Sequence, residues 1–115
     1  MKIQDLHSPN FNNKKRSIKA IKAIVIHYTG MQSGRESILR LTNKRSKVSS
    51  HFVIGLEGKV LRLVKDSYVA WHAGKSCWGK YRNLNKNSIG IELVNKGHRF
   101  GYTNFKKKQL FSLIE

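Results

Sequence analysis

The sequence has 115 residues and a formal net charge of +17, with 39% hydrophobic residues, which fits one globular domain and is too apolar for a disordered chain. A single cysteine excludes an intrachain disulfide framework, and no apolar run approaches the roughly 18 residues of a membrane span. The first residues lack an apolar segment of the secretory type, so we expect a cytoplasmic protein, with the periplasm or cell envelope as the other compartments open to it.

The first half of the chain predicts an arm, a strand and a helix. Residues 1–22 are polar and basic, and we interpret them as an N-terminal surface arm. Residues 20–28 (AIKAIVIHY) predict a strand, and their nearly continuous apolar run favours burial on both faces. Residues 33–41 predict a helix, because Ser33 and Glu36 have the spacing of a capping box.

The second half predicts a hairpin, a long loop, a strand and a final helix. Two apolar runs, residues 51–54 and 60–64, flank a glycine-containing turn and predict a β-hairpin. Residues 75–87 predict a loop, and residues 88–94 (SIGIELV) a central strand. From residue 105 onward the apolar spacing predicts an amphipathic helix.

Glu92 is an anomaly in this pattern, because the other members of its strand are mainly Ile, Gly and Leu. A buried carboxylate must be paired, bound to a metal or protonated. Desolvation would raise its pKa toward the range that suits a general acid or base near neutral pH. A glutamate that points to water from the strand is an equally good interpretation of the pattern.

His27 ends the first predicted strand, where open α/β sheets place their ligand sites. A neutral imidazole there can bind zinc, although a single histidine satisfied by hydrogen bonds is the more common case. The segment Trp71-His72-Ala73-Gly74 can form a platform for a sugar or a peptide. An ordinary core tryptophan followed by a turn is the competing interpretation.

These segments together resemble the zinc-dependent N-acetylmuramoyl-L-alanine amidases of the amidase-2 type, a family related to phage amidase-lysozymes and peptidoglycan recognition proteins. The resemblance rests on five segments that occur in the family's order and with plausible spacing. They are residues 8–11 (SPNF), 24–30 (IVIHYTG), 48–54 (VSSHFVI), 70–74 (AWHAG) and 83–95 (NLNKNSIGIELVN).

The resemblance implies an α/β fold with a mixed sheet flanked by helices, and a zinc ion in a groove at one end of the strands. It implies hydrolysis of the amide bond between N-acetylmuramic acid and L-alanine in peptidoglycan or muropeptides. His27 matches the family's first zinc-binding histidine, and Glu92 matches the catalytic glutamate of the branch that resembles cell-wall recycling amidases. The implied substrate-binding residues are Tyr28, Trp71, His72, Ala73 and Asn85.

The sequence departs from the family at its carboxyl end. Catalytic zinc takes three protein ligands, and the family supplies the second histidine and an aspartate or cysteine from a loop after the last long helix. Here the sequence ends within that helix. We therefore expect residues 23–115 to be an incomplete catalytic domain, without the metal loop and with an incomplete zinc site, so that this chain alone binds zinc weakly and has little activity. Recruitment of His72, Cys77 or His98 is the alternative.

Two other functions compete with the amidase. The first is a non-catalytic peptidoglycan-binding module, which some relatives with incomplete zinc sites resemble. The second is a nucleic-acid-binding domain, which the positive charge suggests. We expect no nucleic-acid partner, because the basic residues are 16 Lys and only 7 Arg, and arginine is the side chain that reads bases in a bidentate manner. The sequence predicts no particular oligomeric state.

Overall fold

The computed structural model describes all residues from Met1 to Glu115 and contains nine strands and two α-helices. The strands are β1 (Ile3–Asp5), β2 (Phe11–Asn12), β3 (Ala23–Tyr28), β4 (Phe52–Ile54), β5 (Val60–Arg62), β6 (Val69–Ala70), β7 (Cys77–Trp78), β8 (Tyr81–Arg82) and β9 (Ser88–Leu93). The helices are α1 (Gly34–Thr42) and α2 (Lys107–Ile114). Short 3-10 turns cover Ile18–Ala20, Lys44–Ser46, Leu84–Asn87 and His98–Phe100.

Five of the strands form one mixed sheet in the order β1-β5-β4-β9-β3. Strands β3 and β4 both run parallel to the central strand β9, and β5 runs antiparallel to β4. Strand β1 pairs with β5 in the parallel direction at the far edge. Two small antiparallel sheets, β2 with β6 and β7 with β8, lie outside it. The predicted α/β class with a mixed sheet is confirmed.

Local sequence signals account for the elements that were predicted. Helix α1 begins after Ser33, whose hydroxyl accepts the backbone N–H of Glu36 at 3.2 Å. The hairpin of β4 and β5 closes through a turn in which Gly58 has a φ of 83°, a conformation that favours glycine. The predicted loop, by contrast, contains the small hairpin β7–β8 and a 3-10 turn.

Most of residues 1–22 are exposed, as expected of a surface arm, but the segment is also paired with the rest of the fold. Strand β1 adds to the edge of the main sheet, and β2 pairs with β6. Ser8 and Asn10 are buried, and the Asn10 side-chain amide donates to the carbonyl oxygens of Asn43 and Val48 at 2.9 and 2.8 Å. Polar residues at the N-terminus fold here because their polar atoms find backbone partners in the rest of the chain.

The two helices lie on opposite faces of the sheet. On one face, Leu41 of α1 joins a core of Val53, Leu61, Leu63, Val64, Ala70 and Val94. On the other face, Leu113 of α2 packs against Ile54, Val60 and Leu93. Helix α2 is fixed there by Gln109, whose amide donates to the carbonyl oxygens of Ile54 at 3.3 Å and Val94 at 2.8 Å. No helix has the length and apolar composition needed to cross a membrane.

Strand β3 is not covered on both faces, contrary to the sequence-based expectation. It forms an edge of the sheet, and Ile24, Ile26 and Tyr28 are 64%, 55% and 51% exposed. The physical reason is the position of α2, which packs over β4 and the hairpin turn rather than over β3. The apolar run of β3 therefore presents one partly buried side and one exposed side.

Candidate active site

The carboxyl ends of two parallel strands bring His27 and Glu92 together. The register of β3 against β9 pairs these two residues directly, as it pairs Val25 with Gly90 two positions earlier. Side chains alternate along a strand, so His27, Glu92, Val25 and Gly90 share one face of the sheet. This is the edge at which sheets with parallel strands commonly hold their ligands.

The His27 imidazole is half-buried and uses one of its two nitrogens within the protein. Its Nε2 lies 3.0 Å from Nδ1 of His72, whose ring meets it edge to face at a centroid distance of 5.2 Å. Burial lowers the pKa of His27 below its ordinary value, which favours the neutral ring. A neutral imidazole at this edge has the chemistry of a zinc ligand, as the sequence predicts.

His72 lies directly beneath His27, seated on β9. A Cβ atom at Gly90 would lie 2.6 Å from His72 Cδ2 and 2.7 Å from its Nδ1, so the ring occupies the space that a side chain would fill. Burial, followed by the neighbouring His27, lowers the pKa of His72 to about 3. His72 is therefore neutral at physiological pH.

Glu92 holds a carboxyl group with an unsatisfied buried oxygen. Its Oε2 is inaccessible to solvent and makes no hydrogen bond. Desolvation raises the pKa of Glu92 to about 7. Of the two interpretations that the pattern allowed, the structure shows the buried carboxyl rather than one that points to water. A carboxyl group with this pKa exchanges protons near neutral pH, as a general acid or base requires.

A cleft of about 120 Å³ opens beside Glu92 and His72. Helix α1 and the segments after β3, before β4 and after β6 supply the rest of its lining, which includes Thr29, Arg40, Ser49 and Trp71. Arg40 also lines an adjoining cleft, in which the charged side chains are Arg40, Arg99 and Glu36. The candidate site therefore combines a buried carboxyl group with cationic side chains, an arrangement that suits an anionic ligand.

The predicted substrate-binding residues fall into different environments. Trp71 lines the cleft, and its indole N–H donates to Asn12 Oδ1 at 2.7 Å. The Asn85 side-chain oxygen accepts hydrogen bonds from the backbone N–H groups of His72 and Ala73 at 3.1 and 2.8 Å. These two hydrogen bonds orient the segment that follows Trp71. Tyr28 lies on the opposite face of β3 from His27, because adjacent residues alternate, and its ring packs against Gly97.

Of the alternative ligands His72, Cys77 and His98, only His72 lies against His27, and the two rings meet through a hydrogen bond. His51 is fully buried, with Nδ1 accepting the Gly90 N–H at 3.0 Å and Nε2 2.9 Å from the Tyr68 carbonyl oxygen. Cys77 is exposed in the β7–β8 hairpin, and His98 bonds to the Tyr102 hydroxyl. No group of three His, Cys, Asp or Glu side chains in the chain is placed to hold a metal ion. Of the residues present, His27 thus fits the role of one zinc ligand, and Glu92 fits the role of the general base.

Sequence reasoning missed Arg40, Ser88 and Gly90. Ser88 begins β9 and contacts His72 Nε2 through its hydroxyl at 3.1 Å. Gly90 had a readable signal, since a glycine inside a strand often marks a close approach by another group. Arg40 gave none, because the side of α1 that faces the site depends on tertiary packing.

The fold and the site together define a member of the Amidase_2 family. The family model described as N-acetylmuramoyl-L-alanine amidase matches residues 17–115, and the chain belongs to this family. Among curated relatives, it is 40% identical over 84 residues to the N-acetylmuramoyl-L-alanine amidase AmiD of Escherichia coli K12. That match covers 67% of this chain and 29% of AmiD, so the chain spans less than a third of that relative.

Solved structures give the same assignment. AmpDh3 of Pseudomonas aeruginosa superposes with a TM-score of 0.75 at 26% identity, over 94% of this chain and 48% of AmpDh3. The complex of E. coli AmiD with anhydro-N-acetylmuramic acid-L-Ala-D-γ-Glu-L-Lys gives a TM-score of 0.75 at 33% identity, over 90% of this chain and 44% of AmiD. An AmpD derivative at 22% identity and a TM-score of 0.76 supports the fold alone.

Proposed function

We propose that this protein is a zinc-dependent amidase that hydrolyses the bond between N-acetylmuramic acid and L-alanine in peptidoglycan or muropeptides. The observation that carries the proposal is the pairing of His27 with Glu92, whose buried Oε2 has no partner. Family membership and the muropeptide bound to AmiD support the substrate class. The conclusion concerns the whole protein, since the chain spans less than half of these relatives.

The residues of this chain divide the chemistry between them. His27 would hold the zinc ion, which supplies Lewis-acid polarisation of the scissile carbonyl when bound. Glu92, with a pKa of about 7, takes a proton from the attacking water and delivers it to the leaving amine of L-alanine. The products are the free lactyl carboxylate of the sugar and the peptide with a free amino terminus.

The test is turnover, by the whole protein, of the anhydro-N-acetylmuramic acid peptide found in the AmiD complex, followed by mass spectrometry of the released peptide with zinc present. We expect Glu92→Gln to lower kcat by at least about 100-fold, because the amide cannot accept the proton. Glu57→Gln is the matched control, since Glu57 is exposed and bonds only to Lys108 at 2.7 Å. Equal turnover by Glu92→Gln and wild type, or no release by the zinc-loaded protein, would contradict the proposal.

One observation favours the competing function of a non-catalytic peptidoglycan-binding module. The chain places His27 and Glu92 together but assembles no group of three metal-ligating side chains. A binding module would retain the muropeptide after treatment with a chelator and would release no peptide. Binding measured by calorimetry with and without chelator, beside the turnover assay, separates the two functions.

Arg40 is expected to bind a carboxylate of the substrate. It lines both the cleft beside Glu92 and the adjoining cleft that contains Arg99. We expect Arg40→Ala to raise KM about tenfold with little change in kcat, since one charge-assisted hydrogen bond is worth about 1.5 kcal/mol. Steady-state kinetics on the same muropeptide provide the measurement.

Arg35→Ala is the control for this prediction, because Arg35 also belongs to α1 but lines neither cleft. The two variants lose the same charge, so long-range attraction falls equally in both. A similar rise of KM in both variants would show that Arg40 acts only through net charge.

A further inference from the structure

A chain of hydrogen bonds runs from a backbone carbonyl to His27. It begins at Ser88, whose Oγ lies 2.6 Å from the carbonyl oxygen of Leu84. A carbonyl only accepts, so the single hydroxyl hydrogen of Ser88 is directed to Leu84. The 3.1 Å contact between Ser88 Oγ and His72 Nε2 must therefore have His72 as the donor.

The next step of the chain fixes both imidazoles. A neutral imidazole carries one N–H, so the N–H at Nε2 of His72 leaves a lone pair on its Nδ1. That lone pair accepts from Nε2 of His27, which is 3.0 Å away. The N–H of His27 is then on Nε2, and its Nδ1 carries a free lone pair that forms no hydrogen bond within the protein.

The surroundings hold His72 in place from two sides. Its ring rests on Gly90, where a side chain would collide with it. Its backbone N–H donates to the Asn85 side-chain oxygen at 3.1 Å, and this oxygen also accepts from Ala73. The orientation of the ring is thus set independently of His27, which allows His72 to impose a tautomer on its neighbour.

We propose that His72 and Ser88 are positioning residues that set the tautomer of His27, so that Nδ1 rather than Nε2 is presented to the zinc ion. The inference rests on the proposed function for the identity of the metal. Metal-binding histidines generally donate their second ring N–H to an oriented acceptor, which fixes the ring and raises its basicity. In this protein the acceptor is a second imidazole, itself oriented by a hydroxyl group.

The test reads the tautomer directly. Long-range ¹H–¹⁵N spectra of the ring nitrogens, recorded in the presence of a chelator, should show the His27 proton on Nε2 in the wild type. In Ser88→Ala the alanine cannot accept from His72, so both rings should become mixtures of tautomers. The zinc affinity of the whole protein, measured by calorimetry, should fall about 10-fold to 100-fold, the usual effect of losing an outer partner of a ligand.

Ser50→Ala is the matched control. Ser50 is also buried, and its hydroxyl donates to the Phe52 carbonyl oxygen at 2.9 Å without bonding to a histidine. It should leave the His27 tautomer and zinc affinity unchanged. A second variant, His72→Gln, removes the imidazole and should release His27 even if Ser88→Ala affects folding.

Two results would overturn the inference: a His27 proton on Nδ1 in the chelated wild type, or an unchanged tautomer and zinc affinity in both Ser88→Ala and His72→Gln. Because the spectra need neither substrate nor turnover, they separate this inference from the proposed function. If the His27 proton is on Nε2 but no hydrolysis occurs, the inference about His72 and Ser88 stands and the proposed amidase function is contradicted. If hydrolysis occurs but the His27 proton is on Nδ1, the amidase function stands and the inference about His72 and Ser88 is contradicted.

Discussion

Replacing Glu92 with glutamine is expected to raise the free energy of unfolding of the metal-free protein by about 3 kcal/mol above pH 7. Below pH 4.5, the ordinary pKa of the group, the same variant should be about as stable as the wild type. The reason is the buried Oε2, which has no hydrogen-bond partner and is costly to ionise. The residue proposed as the general base thus lowers the stability of the fold.

The sign follows from the two states of Glu92. In the unfolded chain it loses its proton near pH 4.5, whereas in the folded protein it keeps the proton until about pH 7. Between these values the unfolded state binds fewer protons, so this group lowers stability as the pH rises. The penalty is absent below pH 4.5 and complete above pH 7.

Urea denaturation of both proteins between pH 4 and 8, with a chelator present, gives the measurement. Burial lowers the pKa values of His27, His51 and His72, so these groups cost stability as the pH falls below about 6.5. The difference between variant and wild type removes their contribution, which is common to both proteins. A difference that stays constant across the pH range would contradict a raised pKa for Glu92.

Replacing Gly90 with alanine is expected to lower the free energy of unfolding by about 2–3 kcal/mol, because the new methyl group and the His72 ring cannot occupy the same space. The Cδ2 and Nδ1 atoms of the ring lie 2.6 and 2.7 Å from the position of the added Cβ, and Cγ is closer still, well inside van der Waals contact. Alanine in a strand would otherwise be slightly favourable relative to glycine, so the sign depends entirely on this contact.

A double-mutant cycle tests the cause. In a His72→Ala background the space is free, so Gly90→Ala should cost little, with a coupling energy of at least about 1 kcal/mol between the two sites. Gly34→Ala is the matched control, since its Cβ would meet the Val94 side chain at an ordinary 3.7 Å. Additive effects of the His72 and Gly90 substitutions would show that their contact does not decide the stability.

Elements governed by local signals could be predicted from the sequence. The Ser33 cap placed the start of α1, and the glycine-containing turn placed the β4–β5 hairpin. The fate of Ile24 and Ile26 could not be predicted, because their exposure depends on where α2 lies, and this is a tertiary property. The N-terminal strand was missed because three residues paired at a sheet edge carry almost no periodic signal.

The candidate site was predictable in its residue types but not in its geometry. The anomalous Glu92 and the terminal position of His27 were visible, yet their direct pairing depends on the parallel register of β3 and β9. The approach of His72 to His27 joins residues 45 positions apart through a space that only Gly90 leaves open. Strand alternation also turns Tyr28 away from its neighbour His27, so its predicted role in substrate binding involves the other face of β3.

The exposed side of β3 affects how readily molecules of this protein associate with one another in solution. An edge strand with unpaired backbone groups and a row of isoleucines invites pairing between molecules. The net charge of +17 opposes such encounters by mutual repulsion. That repulsion reaches about 30 Å at 0.01 M salt but only about 8 Å at 0.15 M. The lysine-rich composition therefore keeps the apolar edges apart, and salt weakens this protection.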